Sequence, residues 1–462
     1  MKTNSLFFAF MLMCCSLTQQ LHAQEARWTG PSVDFNHGRL MVDTSKRHIV
    51  FENGEPFPYF GDTAWELFHR LDKKNTERYL ENRREKGFTV IQAVVLAELD
   101  GLGTPTPEGA TPLMDNNPLF PNEPYFAHVD WVVQKAREKG LFIGMLPTWG
   151  DKVDKQWGVG PEIFTPENAF AYGKFLGERY RACPNIIWII GGDRSGGGKN
   201  FEIWDAMACG IRSVDNVHLM TFHPQGERSS AEWFHESDWL DFNMVQTGHA
   251  QRSFAIYKRL FLPDYHRTPI KPVMDAEPRY ENHPVNWAPD VFGWFDDADV
   301  RQTLYWSLFS GGFGYTYGCH SIWQMRDETK EPVGLARSYW HQDLDLPGAW
   351  DIIHARNLLS SRPVSQMRPF PELITNTYVP ETDWIVAARG DNYVLVYIPT
   401  GSDALLNLAL CDAEEIRASW FNPRTGDQEH AGRMAAHGVT KFSPPTRGRG
   451  NDWVLMLDYV LN

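Results

Sequence analysis

Between residues 57 and 317 the chain repeats one pattern eight times: a short apolar run bounded by Gly, Pro or charged residues, usually followed by a helix-length segment. The runs are 57–60, 88–96, 141–146, 186–190, 219–223, 242–246, 271–277 and 312–317. Their apolar residues are consecutive rather than alternating, which fits strands buried on both faces, the condition of a parallel sheet. The segments between them predict helices near 75–86, 125–139, 165–180, 201–211, 253–260 and 297–309, with a last one near 349–360. Thr165-Pro166 is a start signal, a capping residue followed by Pro at the first helical position, and Gly87 and Gly140 are stop signals. Eight such strands and their helices predict an α/β fold, a (β/α)8 TIM barrel. A doubly wound open sheet would require a nucleotide fingerprint. The nearest candidate, Gly196-Gly197-Gly198-Lys199-Asn200, fails the phosphate-loop pattern at Asp193 and again at Asn200.

The pattern changes on either side of this repeat. Residues 1–23 carry Lys2, an apolar core over 6–17 and Leu21-His22-Ala23, which read as a cleaved secretory signal peptide and predict a secreted or periplasmic protein. Residues 24–370 then form the barrel, preceded by two short hairpins around 40–51 and the turn Glu52-Asn53-Gly54-Glu55, which are expected to plug one end. From 371 to 462, short strands at 384–387, 393–398, 416–421 and 454–457 with turns between them predict a C-terminal β-sandwich domain.

The net charge of −14 argues against nucleic acid or an anionic membrane as a partner, and a polyanionic substrate would need a local basic patch. No later run approaches the ~20 apolar residues of a membrane span. Cys183, Cys209, Cys319 and Cys411 are too widely spaced for a disulfide framework or zinc site; buried free thiols are expected, although the count permits one disulfide. No H-E-x-x-H, EF-hand loop or G-x-S-x-G occurs, so neither metal nor cofactor is expected. The 18 tryptophans add aromatic faces of the kind that suit sugar rings.

Barrel enzymes place their chemistry at the C-terminal ends of the strands. The fourth strand ends at Asp193 and the seventh at Glu277, on opposite sides of an eight-strand ring. Opposed carboxylates are what glycoside hydrolysis needs, one to protonate the leaving oxygen and one to attack the anomeric carbon or activate water. The blander readings are a loop-capping aspartate and a salt bridge from Glu277 to Arg279. The other strand ends present Asp62, Trp65, Gln92, Trp149, His223, Gln246, His249, His320 and Trp323, a ring of polar and aromatic groups suited to a neutral polyol.

Three segments carry a family resemblance: 57–65 (Phe57-Pro58-Tyr59-Phe60-Gly61-Asp62-Thr63-Ala64-Trp65), 187–193 ending in Gly191-Gly192-Asp193, and Asp275-Ala276-Glu277-Pro278-Arg279-Tyr280. Together they resemble glycoside hydrolase family 140, secreted bacterial enzymes that release apiose-linked side chains from the pectin rhamnogalacturonan-II. Trp420-Phe421-Asn422-Pro423 is similar to the β domain that accompanies this barrel, labelled collagen-binding in some relatives. The resemblance implies a retaining mechanism with Asp193 as acid/base, Glu277 as nucleophile and a plant cell-wall glycan as substrate. Related barrel glycosidases usually carry Asn-Glu where this chain has Gly192-Asp193, a departure that fits family 140. Two other expectations stay open: the same scaffold acting on another plant glycan, as an arabinofuranosidase or galactosidase, and a surface glycan-binding protein without catalysis.

Overall fold

The computed structural model describes residues 27–377 and 380–460; the expected signal peptide lies outside them. Eight parallel strands form the barrel: β3 (Tyr59–Thr63), β4 (Val90–Leu96), β5 (Phe142–Thr148), β6 (Ile186–Gly191), β7 (Met220–His223), β9 (Asn243–Gln246), β10 (Val273–Asp275) and β11 (Gly314–Tyr317). They pair in the order β7-β6-β5-β4-β3-β11-β10-β9, and β8 (Arg228–Ser229) lies antiparallel on β9. The sheet closes between β7 and β9, where Asp241 donates its backbone N–H to the Met220 carbonyl (2.8 Å) and the Thr221 hydroxyl donates to the Phe242 carbonyl (2.6 Å).

Consecutive apolar residues are needed because each strand faces two cores. In β6, Ile187 and Ile189 point into the barrel, whereas Ile186, Trp188 and Ile190 pack against the surrounding helices. β4 divides likewise, Val90 and Val94 inward and Ile91, Ala93 and Val95 outward. The helices start on local caps: Asp72 accepts from Asn75 N–H ahead of Lys73–Glu85, and Thr165 and Asp296 form capping boxes ahead of Pro166–Tyr180 and Asp297–Phe309. One expected helix differs. Over 253–260 the chain forms a π-turn, Tyr257–Phe261, that runs into Leu262–Tyr265. Pro263 has no N–H for the Arg259 carbonyl, and its ring crowds that carbonyl, so the turn widens.

Of the two expected hairpins, one forms, from β1 (Leu40–Val42) and β2 (Ile49–Phe51). The second is reduced to a single bridge between Val50 and Pro56, because Pro56 and Pro58 have no N–H to extend a ladder. Leu40, Ile49 and Phe51 pack with Phe57, Phe142, Phe242 and Phe313 at the N-terminal end of the strands, so this end of the barrel is plugged.

The C-terminal region holds a six-stranded antiparallel sheet in the order β12 (Arg368–Pro369), β13 (Val386–Arg389), β14 (Tyr393–Ile398), β19 (Trp453–Tyr459), β16 (Glu415–Phe421), β17 (Gln428–Ala435). A hairpin of β15 (Ala404–Asn407) and β18 (Val439–Phe442) covers one face, packing Leu406 and Phe442 with Val394, Val396 and Leu455. The other face lies on the barrel. There Tyr397 stacks on Tyr305 at 4.7 Å, and buried Arg301 joins Asp351 (2.8 Å) to Asp452 (3.1 Å). All four described cysteines are free; Cys319 and Cys411 are buried, but Cys209 is exposed, against the expectation that all four are buried.

Candidate active site

At the C-terminal ends of the strands a cleft of about 670 Å³ opens. Asp193 and Glu277 both line it, together with Trp65, Trp149, Gln246, His249, His320 and Trp323 of the predicted set.

The backbone at the end of β6 explains how Asp193 reaches the cleft. Gly191, Gly192 and Asp193 all have positive φ (+95°, +129° and +56°). A Cβ on Gly191 would lie 2.4 Å from the His223 carbonyl oxygen, and one on Gly192 would lie 3.0 Å from Gly150 N. The two glycines therefore let the chain turn sharply between β5 and β7, and aspartate tolerates the left-handed position that follows. Arg194, fully buried, then fixes the turn: it donates to the carbonyls of Asp193 (2.8 Å), Asp154 (2.8 Å) and Lys155 (3.0 Å) and stacks under Trp157 at 4.1 Å.

Glu277 is held from two sides by histidine. His249 Nε2 lies 3.0 Å from Oε1 and His223 Nε2 lies 3.1 Å from Oε2. Arg279, its expected partner in the salt-bridge reading, instead donates to Gln302 and to the carbonyls of Gln251 and Asp299. Burial acts to raise the Glu277 pKa, but the two imidazoles outweigh it and hold the carboxylate down at about 2. Burial and the charge of Glu277 push the Asp193 carboxyl up to about 6, against Arg194, His223 and Gln246, which pull it down. One carboxyl is thus kept ionised and the other protonated through mildly acidic pH, the division of labour between a nucleophile or base and a general acid.

Two predicted residues are elsewhere. Asp62 points out of the barrel, because it shares the outward parity of Phe60 in β3; it accepts from Arg83 Nε (2.6 Å) and the Tyr79 hydroxyl (2.5 Å) on the neighbouring helix. Gln92 points inward but lies buried below the cleft, donating to the Thr316 hydroxyl at 2.7 Å. Both are structural. His223 stands behind the cleft wall, packed edge-on against Trp65 at 5.3 Å, and acts through Glu277.

The cleft also gathers residues that reading the strand ends missed. Glu98, Trp157, Tyr280, His283 and Trp287 line it. Tyr280 lies in the segment Asp275-Ala276-Glu277-Pro278-Arg279-Tyr280, but Trp157 and Trp287 sit well along their loops, far beyond the ends of β5 and β10. His249, His283 and His320 lie in a row with ring centroids 4.4 and 4.3 Å apart, the first pair tilted and the second edge-on. His283 Nδ1 is engaged with the Pro284 carbonyl and His320 Nε2 with that of Gly334, whereas His249 Nδ1 has no partner among the described residues. Among the described residues no group of His, Cys, Asp and Glu gathers to hold a metal ion. Trp149 Nε1, the Tyr280 hydroxyl and Gln246 Oε1, buried at the cleft wall, have no partner among the described residues.

An eight-stranded barrel with a paired acid and carboxylate at the mouth defines a glycoside hydrolase, and the solved structures similar to this chain agree. A glycoside hydrolase family 5 protein from Bacteroides vulgatus ATCC 8482 is 32% identical, with a TM-score of 0.85 over 92% of this chain and 95% of that one. A second structure, titled glycoside hydrolase, is 33% identical at the same TM-score, covering 92% and 98%. A further B. vulgatus protein, at 15% identity and TM-score 0.67 over 93% of this chain and 83% of that one, shares the fold. The family described as "Apiosidase-like, catalytic domain" matches residues 43–366, and "Putative collagen-binding domain of a collagenase" matches 369–458. The chain belongs to the apiosidase-like family. No curated protein matches it.

Proposed function

We propose that the protein is a secreted, retaining glycoside hydrolase of the family 140 type that cleaves apiosyl linkages in pectic side chains such as those of rhamnogalacturonan-II. The opposed protonation of Asp193 and Glu277 carries the mechanism. Asp193, held up to about 6, donates its proton to the leaving oxygen while ionised Glu277 attacks the anomeric carbon. Loss of the leaving group leaves Asp193 ionised, and it then takes a proton from the water that hydrolyses the glycosyl-enzyme. The two imidazoles keep Glu277 anionic and, by the same stabilisation, make it a good leaving group in the second step.

The character of the cleft supports a neutral sugar as the group bound beside these carboxyls. Its described lining contains Asp193, Glu277, Glu98 and Glu227 but no Lys or Arg, so the basic patch that an anionic ring would need is missing there. Trp65 and Trp149, 5.1 Å apart, supply an aromatic wall. Incubation with rhamnogalacturonan-II should release an apiose-terminated product with retained anomeric configuration in the first NMR spectra. Glu277→Gln should lose several orders of magnitude in turnover while keeping the fold. Inverted product would remove the double displacement, and release of arabinose or galactose alone would remove the sugar assignment.

A further inference from the structure

Glu98 is the carboxyl that the mechanism above leaves without a role. It follows β4 by two residues and lines the same cleft as Asp193. We propose that Glu98 binds the substrate as a neutral acid, donating a hydrogen bond from its own O–H to a hydroxyl or ring oxygen of the sugar in the cleft. The inference rests on the glycosidase reading of this site and extends it to substrate recognition.

The surroundings of Glu98, which is partly buried at the cleft, favour its neutral form. The charges that act on it most are Asp193 at the end of β6, Glu66 after β3 and Asp151 after β5, opposed by Arg194. Arg194 already spends its N–H groups on the carbonyls of Asp193, Asp154 and Lys155. Lys152 is occupied by Asp151 (2.7 Å) and the Ala97 carbonyl (2.5 Å) and reaches only the backbone carbonyl of Glu98, at 3.5 Å. Arg70 serves Glu66 and the Gln324 carbonyl. The Glu98 side chain has no ion-pair or hydrogen-bond partner among the described residues. Burial first, and then the charges of Asp193, Glu66 and Asp151, push this carboxyl up to about 8. A protonated carboxyl facing a cleft is a directional donor, and it presents no added negative charge to Asp193. Ionised, it would lose the donor and repel the acid/base.

The test is the pH dependence of kcat/KM on rhamnogalacturonan-II for the wild type, Glu98→Gln and Glu98→Ala, with folding checked by thermal unfolding. In the wild type, the alkaline limb should fall with slope −1 in log kcat/KM as Asp193 ionises near 6. Above about 8, as Glu98 ionises, it should steepen beyond −1 through an added drop of about 2- to 10-fold, the worth of the lost donor. Glu98→Gln, which keeps a neutral donor, should retain most of the activity and hold slope −1 throughout. Glu98→Ala should lose about 2- to 10-fold near pH 5, the range of one neutral hydrogen bond. An undiminished Glu98→Ala enzyme, or a Glu98→Gln enzyme that still steepens, would overturn the proposal. A wild type that releases no sugar at any pH would instead overturn the glycosidase reading on which it rests.

Discussion

Substituting His249 by Ala isolates how the protein keeps its proposed nucleophile ionised. His249 Nε2 lies 3.0 Å from Glu277, and both side chains are buried. A hydrogen bond to a charged group contributes about 1.5–3 kcal/mol, and one pKa unit corresponds to about 1.4 kcal/mol, so losing this partner should raise Glu277 by about one to two units. From its value of about 2, the carboxylate would move to about 3–4. The sign follows from which form works: Glu277 must be ionised, so activity is present above its pKa and lost as pH falls through it. The wild type should therefore be active between about 2 and about 6, limited above by deprotonation of Asp193. In His249→Ala the acid limb should move up, while the alkaline limb stays near 6. Initial rates from pH 2.5 to 8 measure both limbs, with samples returned to pH 5 and reassayed to separate inactivation from titration. An acid limb that stays in place while the rate drops would refute the claim that His249 works through the charge of Glu277.

Other parts of the molecule yield sharper separations of stability from activity. Asp62→Ala leaves the buried Arg83 guanidinium without its counter-ion, which should cost about 3–5 kcal/mol in denaturant unfolding while kcat stays near wild type. A loss of kcat at unchanged stability would return Asp62 to the site. Trp157 is 62% exposed at the cleft and stacks on the arginine that fixes the Asp193 turn, which puts it on the leaving-group side. Trp157→Ala should lower kcat/KM on polymeric substrate about 10-fold, from roughly 1–1.5 kcal/mol of lost ring contact, and leave hydrolysis of a glycosyl fluoride unchanged. Asp452→Ala removes one of the carboxylates around Arg301 at the junction with the β domain and should cost about 3 kcal/mol. Calorimetry should then resolve two transitions in place of one.

The barrel was readable in the sequence because its physics is local. A strand between two cores must be apolar at every position, and 186–190 could hardly be anything else once Ile187 and Ile189 face one core and Trp188 the other. The cap at Thr165 and the helix over 297–309 were equally direct. Where the reading slipped, the deciding contact was non-local or a missing donor. The second hairpin was lost to the absent N–H groups of Pro56 and Pro58, and the π-turn to Pro263.

The site was legible to the extent that position along a strand determines it. Asp193 and Glu277 follow from counting strands and reading their ends, but Asp62 shows that reaching the end of a strand is insufficient: parity decides which core a side chain meets. Trp65 and Asp62 differ by three positions, so they cannot share a face of an extended chain; Tyr59 and Trp65, six apart, belong to the interior set. Tyr79 and Arg83, which hold Asp62, stand at i, i+4 spacing on one face of the next helix. The protonation of the cleft was not available. It depends on His223 and His249 reaching Glu277 from the ends of two further strands, and on Arg194, engaged with three carbonyls, only partly offsetting the burial and charge that raise Asp193 and Glu98. The same two glycines that mark the departure from Asn-Glu are what bring these groups within range, because a Cβ at Gly191 would lie 2.4 Å from the His223 carbonyl oxygen, and only a residue without one takes this path and turns Asp193 back toward the cleft.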